Sequence, residues 1–237
     1  MNLLLVDKND FTSQDEVTIS GRRFLQLKET IKPECGDTLR AGLLGGLTGV
    51  ATLLKMDDST ATLKVEFNTP PPPPGNVELI CALPRPQTFR KVLHCAVTMG
   101  VKKIRFIHAR KVEKSYWQSS MLRPEEIDLE LRLALEQCGD TVFPQLEYHN
   151  RFKIFAEDVL PEIVKGSALS VFGHPRAVEA IPQVLPAGTI QLAVGPEGGF
   201  TDYENMMLEK AGMLPVTLGS RVLRTEFALA ALLAKLS

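Results

Sequence analysis

Two loops near the carboxyl terminus carry residue types that can build a small-molecule site. The first reads Gly195-Pro196-Glu197-Gly198-Gly199-Phe200, the second Leu218-Gly219-Ser220-Arg221-Val222-Leu223-Arg224-Thr225-Glu226. Each follows a short apolar run and opens onto residues at helical spacing. Glycine lets the backbone turn tightly and approach a ligand, and in an α/β sheet ligands bind beyond the carboxyl ends of the strands. A cofactor pocket formed by these two loops is the first expectation. Gly195-x-x-Gly198-Gly199 is not the GxGxxG of a dinucleotide site and no GxxxxGK[ST] occurs, so nucleotide-binding enzymes are disfavoured.

The segments around the loops alternate in period. Val77 to Ala82, Ile104 to His108, Thr141 to Leu146, Ala168 to Gly173, Thr189 to Val194 and Leu214 to Leu218 read as strands. Between them, Pro86 to Met99, Pro124 to Cys138 and Phe152 to Val164 repeat apolar residues at helical spacing, with Gly100 and Gly139 as stops. Thr201 and Glu204 form a capping box for a helix ending near Gly212, and Thr225 to Leu236 is the last helix. Strands separated by helices imply parallel crossovers, hence an α/β domain. Upstream, Glu16 to Ile19, Thr38 to Leu44, Gly49 to Leu54 and Ala61 to Phe67 are strand-like, with a short helix at Phe24 to Lys28, the pattern of a small β-barrel. Pro70 to Gly75, five prolines and a glycine, cannot continue a ladder or a helix and reads as a linker between residues 1–69 and 76–237.

Composition is that of an ordinary globular chain: 237 residues, 44% hydrophobic, 23% charged. The first residues lack a basic region ahead of a long apolar run, and the uncharged stretch from Ala180 to Pro196 is broken by Pro182, Pro186 and Gly188. Neither export nor a membrane span is expected. Cys35, Cys81, Cys95 and Cys138 show no CxxC spacing, and the four histidines no metal-ligand pattern. A cytoplasmic protein without a metal follows. Net charge is −1, but the segment Arg85 to Lys114 holds nine Lys/Arg against the single acid Glu113. Such a run suits phosphate contacts, and equally a solvated surface.

Both loops, quoted from Ala193 to Phe200 and from Leu218 to Glu226, resemble the SPOUT class of RNA methyltransferases, and within it the RsmE family. Glu136-Gln137-Cys138-Gly139 is similar to that family's helix end, and the order of a barrel followed by an α/β domain covers the whole chain. The resemblance implies a PUA-like RNA-binding barrel, then a domain with a carboxy-terminal trefoil knot that binds S-adenosyl-L-methionine. It implies a homodimer acting on ribosomal RNA of the small subunit, methylating uridine N3 in 16S ribosomal RNA. Departures from the family pattern fall on the substrate side, at Arg85-Pro86-Gln87-Thr88-Phe89-Arg90-Lys91, His108-Ala109-Arg110-Lys111, Asp140 and Gly21-Arg22-Arg23-Phe24.

On that resemblance the cofactor would be bound by Phe172, Gly173, His174, Val194, Gly195, Pro196, Glu197, Gly198, Leu218, Gly219, Val222, Leu223, Arg224, Thr225 and Ala228. Uridine N3 carries a proton at neutral pH, so attack needs a base or a fixed cation for the developing anion. Arg224 is the candidate cation, and Glu226 and Glu197 the candidate bases; the carboxylates would also suit helix N-termini. Arg22, Arg23, Arg110 and Lys111 are the expected phosphate grips. A SPOUT enzyme acting on another RNA, or a non-catalytic RNA-binding dimer, are the alternatives.

Overall fold

The computed structural model describes residues 2–237 and divides into two compact units. The first runs to Pro73 and includes Arg132–Phe143; the second comprises Pro74–Leu131 and Pro144–Ser237.

The first unit holds β1 (Leu4–Val6), β2 (Glu16–Ser20), α1 (Gly21–Gln26), β3 (Thr38–Leu43), β4 (Thr48–Met56) and β5 (Thr60–Thr69). Its sheet has the order β1-β3-β4-β5-β2, antiparallel except for the parallel β1–β3 pair. Val17 and Ile19 alternate with polar neighbours and meet Ala61, Leu63 and Val65 in a core closed by Phe24 and Leu27. Among the described residues no ladder joins β1 to β2, so the observed pairing is an open five-stranded sheet. The strands expected within residues 1–69 do not include β1. Nor does that expectation include Arg132–Phe143, which enters this unit because Arg22 Nη1 and Nη2 donate to Glu136 at 2.9 and 2.7 Å, and Gly45 N–H donates to the Thr141 carbonyl at 2.7 Å.

The second unit contains β6 (Val77–Ala82), α2 (Pro86–Thr98), β7 (Lys103–Ile107), the first half of α3 (Pro124–Cys138) and β8 (Gln145–His149). There follow α4 (Phe152–Ile154), α5 (Leu160–Lys165), β9 (Leu169–Gly173), β10 (Ile190–Val194), α6 (Asp202–Lys210), β11 (Leu214–Val216) and α7 (Thr225–Leu236). A wide turn at Phe155–Val159 joins α4 to α5 ahead of Pro161, which has no N–H to give a helical bond. All six strands are parallel, in the order β11-β9-β10-β6-β7-β8. The fold is therefore α/β. β10 is buried along its whole length, as a strand covered on both faces must be. The strand expected at Thr141 to Leu146 begins only at Gln145, because Thr141 is bonded to Gly45 and Gly46 in the first unit.

From β6 the chain steps outward to β7 and β8, then returns to the other side, where β10 lies between β6 and β9. This reversal gathers the carboxyl ends of β6, β10 and β9, the place where open α/β sheets hold ligands.

Candidate functional site

A pocket of ≈ 200 Å³ opens at the carboxyl ends of β9, β10 and β11. Gly173 and His174 leave β9, Val194 to Gly198 leave β10, and Leu218, Gly219, Val222, Leu223, Thr225 and Ala228 come from the second glycine loop and the start of α7. Thirteen of the fifteen residues expected at the cofactor thus line one cavity. Its walls are mostly apolar, and Val222 and Leu223 remain 79% and 42% exposed. Uncovered apolar side chains inside a concave site are what a flat heterocycle would bury.

The two loops need glycine for different reasons. Gly219 has φ +118° with nothing within 4 Å of where a Cβ would sit, so its backbone conformation rather than space requires glycine. At Gly195 a Cβ would press against the Phe200 ring and backbone nitrogen, both at 3.2 Å. Thr201 Oγ1 accepts from Glu204 N–H at 3.3 Å, and the Glu204 carboxylate accepts from Thr201 N–H at 2.8 Å. This capping box ends the first loop and starts α6.

Phe172 and Arg224 depart from the expected lining. Phe172 is fully buried and packs edge-on to His174 and Phe200, with ring centres 6.2 and 6.4 Å away, so it backs the wall. Strand alternation puts Gly173, not Phe172, at the cavity. Arg224 is the exposed N-cap of α7, and its carbonyl accepts from Ala228 N–H at 2.8 Å. The arginine in the lining is Arg221, which sequence reasoning passes over, as it does Thr217 and Leu232. The loop pattern holds Arg221 in plain view; Leu232, two turns into α7, can be found only from tertiary packing.

Both candidate bases are claimed by cations. Glu197 accepts from Arg85 Nε at 3.1 Å, and Glu226 from Lys91 Nζ at 3.1 Å. The hydrogen bond from its own backbone amide, aided by Lys91, holds the Glu226 carboxyl below the ordinary range. A carboxylate so stabilised is a poor proton acceptor. Burial, with a smaller push from Glu197, raises the Cys81 thiol far above its usual value, so Cys81 is an inert wall of β6.

Most of the basic run is paired with acids rather than free. Arg90 pairs with Glu130, Lys103 with Glu147, and Arg105 with both Glu78 and Glu147. Acids distant in sequence reach these cations, which no linear count of charge reveals. Arg22 is occupied by Glu136, and Arg23 by Asp10 and the Leu5 carbonyl. Lys111 Nζ donates to the Gly198 carbonyl at 2.6 Å. Of the four expected phosphate grips, only Arg110 keeps a side-chain cation without an internal acceptor among the described residues.

Fold and pocket together define a class: a parallel α/β domain that holds a ligand in glycine-rich loops beyond its strand ends. Residues 71–237 match the RNA methyltransferase domain family, and the chain belongs to that family, within it to the ribosomal RNA small subunit methyltransferase E group. It is 30% identical over 166 residues to ribosomal RNA small subunit methyltransferase E of Mesomycoplasma hyopneumoniae (strain 232), covering 69% of this chain and 70% of that one. To the protein of the same name from Treponema pallidum (strain Nichols) it is 24% identical over 235 residues, 96% of this chain and 87% of that one. Among solved structures, the Neisseria gonorrhoeae ribosomal RNA small subunit methyltransferase E bound to S-adenosyl methionine has the same fold, with TM-score 0.75, 21% identity, and coverage of 99% and 95%. No helix among the described residues is long and apolar enough to cross a membrane.

Proposed function

We propose that this chain methylates uridine N3 in 16S ribosomal RNA of the small subunit, with S-adenosyl-L-methionine as donor. The observation that carries the reading is the convergence of both glycine loops on one apolar-walled pocket at the carboxyl ends of β9, β10 and β11. Relatives that bear the name ribosomal RNA small subunit methyltransferase E support the substrate. The donor supplies a methyl group activated on a sulfonium.

The chain's own share is positioning and charge. Leu218, Val222, Leu223 and Ala228 would enclose the adenine, while Gly195, Gly198 and Gly219 let main-chain groups come close. With Glu226 and Glu197 held by Lys91 and Arg85, the proton that N3 loses is assigned to solvent water and the developing anion to a cation, for which exposed Arg224 at the start of α7 is proposed. The amino-terminal unit is proposed as a PUA-like RNA-binding domain, the loops after β9, β10 and β11 as a trefoil knot, and the active form as a cytoplasmic homodimer. Phe227, 60% exposed on α7, supports the last point.

Calorimetric titration of S-adenosyl-L-methionine into the wild type and Gly195→Trp tests the pocket: binding by the wild type alone is expected, and equal binding by both, or by neither, overturns it. Mass-spectrometric mapping of ribosomal RNA from a strain lacking the protein tests the substrate. Loss of the uridine methylation is expected; its persistence together with loss of another RNA modification replaces the substrate.

A further inference from the structure

A second cleft, of ≈ 540 Å³, lies within the α/β unit at the carboxyl ends of β7 and β8. The segments that follow these strands bring Arg110, Lys114 and Arg151, with Lys153 on α4, to its walls, and Tyr203 comes from the first turn of α6. All four cations are exposed. No carboxylate among the described residues holds the side chains of Arg110, Lys114 or Arg151, and Lys153 meets Glu157 only at 3.9 Å on the open surface.

The single acid in the lining, Glu204, does not offset them. It is 2% exposed and its oxygens accept from Arg110 N–H at 2.6 Å, Thr201 N–H at 2.8 Å and Thr201 Oγ1 at 2.9 Å. The carboxylate is engaged in docking the β7 loop against the start of α6, and the cleft keeps its excess of positive charge. Tyr203, 49% exposed, adds an uncovered aromatic face. Cations spaced along a groove beside an aromatic ring are the arrangement that takes a polyanion whose repeating units carry π-faces.

We infer that this cleft holds single-stranded RNA flanking the reacting nucleotide, with Arg110, Lys114, Arg151 and Lys153 on phosphates and one base stacked on Tyr203. The inference rests on the RNA methyltransferase reading above. It adds Lys114, Arg151, Lys153 and Tyr203 to the RNA contacts, and removes Lys111, whose ammonium is already bonded to the Gly198 carbonyl. The position suits the reaction, because one continuous stretch, Gly195 to Glu204, lines the methyl-donor pocket with its first half and this cleft with its second.

The experiment is a fluorescence-anisotropy titration of a labelled single-stranded RNA dodecamer, without methyl donor, at several potassium chloride concentrations. The wild type is compared with Lys114→Gln/Arg151→Gln and with Tyr203→Ala and Tyr203→Phe. Each single-strand phosphate contact contributes about −0.7 to the slope of log affinity against log salt, so the double variant is expected to flatten that slope by about 1.4. Tyr203→Ala is expected to weaken binding by about ten-fold and Tyr203→Phe to restore it. Unchanged affinity and slope in the double variant overturn the inference, as does tighter binding of an acidic peptide of equal charge than of the RNA. S-adenosyl-L-methionine binding is measured on the same proteins and is expected to be unchanged. A wild type that binds RNA through these residues yet takes no methyl donor defeats the enzymatic reading and leaves the cleft standing.

Discussion

Lys111 Nζ donates to the carbonyl of Gly198 at 2.6 Å and so ties the loop after β7 to the loop after β10. Its aliphatic stem runs over Gly198, where a Cβ would meet Lys111 Cδ at 2.8 Å. A residue that reads in sequence as a phosphate grip therefore acts as a strut for the proposed donor pocket. A charged hydrogen bond at an exposed site contributes about 1 kcal/mol after solvent screening. Lys111→Met is expected to weaken S-adenosyl-L-methionine binding about five-fold by calorimetry. The salt slope of RNA binding should stay at the wild-type value, whereas a phosphate contact at Lys111 would lower it.

Gly219 isolates backbone conformation from space. Its φ of +118° lies where side-chain-bearing residues are strained, although the position is open. Gly219→Ala places about 1–3 kcal/mol of strain on the loop that walls the pocket. Since the loop can relax away from its ligand-binding shape, affinity for the methyl donor should fall about ten-fold while the thermal midpoint moves little. A large loss of thermal stability with intact binding would refute this account.

Local chemistry is legible in the sequence and long-range pairing is not. The helices at Pro124–Cys138 and Thr225–Leu236, the strand at Val77–Ala82 and the capping box of Thr201 and Glu204 end where their residues indicate, because turns, caps and periodicity act within a few positions. Three-residue β1 is too short to show a period, and it exists through its parallel pairing with β3, some 37 positions on at Leu4 and Ala41. Charge misleads for the same reason. Arg90, Lys91 and Arg105 look unopposed until the fold delivers Glu130, Glu226 and Glu147 to them. The residues of the proposed donor pocket can be read because two loops supply most of them; the hydrogen bond from Arg110 N–H to the Glu204 carboxylate joins residues 94 apart and leaves no local trace.

A polar stripe crosses the parallel sheet: Gln191 on β10, Glu78 on β6, Arg105 on β7 and Glu147 on β8. Arg105 is 5% exposed and reaches Glu78 at 2.7 Å and Glu147 at 3.0 Å. Burial pushes the Glu78 carboxyl up, but hydrogen bonds from Gln191 and Arg105 outweigh it and hold it below its ordinary 4.5. Burial likewise opposes, and Lys103 and Arg105 together reverse, the shift at Glu147. Both folded-state values are depressed, so this stabilisation is complete above the unfolded carboxylate range and is lost as pH falls through the folded values. Arg105→Met should cost about 2–3 kcal/mol at pH 7, less than a fully buried pair because both carboxylates keep some solvent. Chemical denaturation should show the wild-type advantage shrinking below about pH 4.5, where the carboxylates take up protons. An advantage that persisted undiminished at pH 3 would rule the stripe out as its source.

Stability and salt dependence together separate a strut from an RNA grip in the amino-terminal unit. Arg22 forks onto Glu136, whose side chain is only 4% exposed against 36% for the arginine. Removing the arginine strands a buried carboxylate, which costs more than the pair itself contributes. Arg22→Gln is therefore expected to lower unfolding free energy by about 2–3 kcal/mol. Arg22→Gln/Glu136→Gln should recover much of it, because no buried charge is left alone. In the folded variants the RNA affinity and its salt slope should match the wild type. If Arg22→Gln instead left stability intact and flattened the salt slope by about 0.7, Arg22 would be holding a phosphate and the strut assignment would fall.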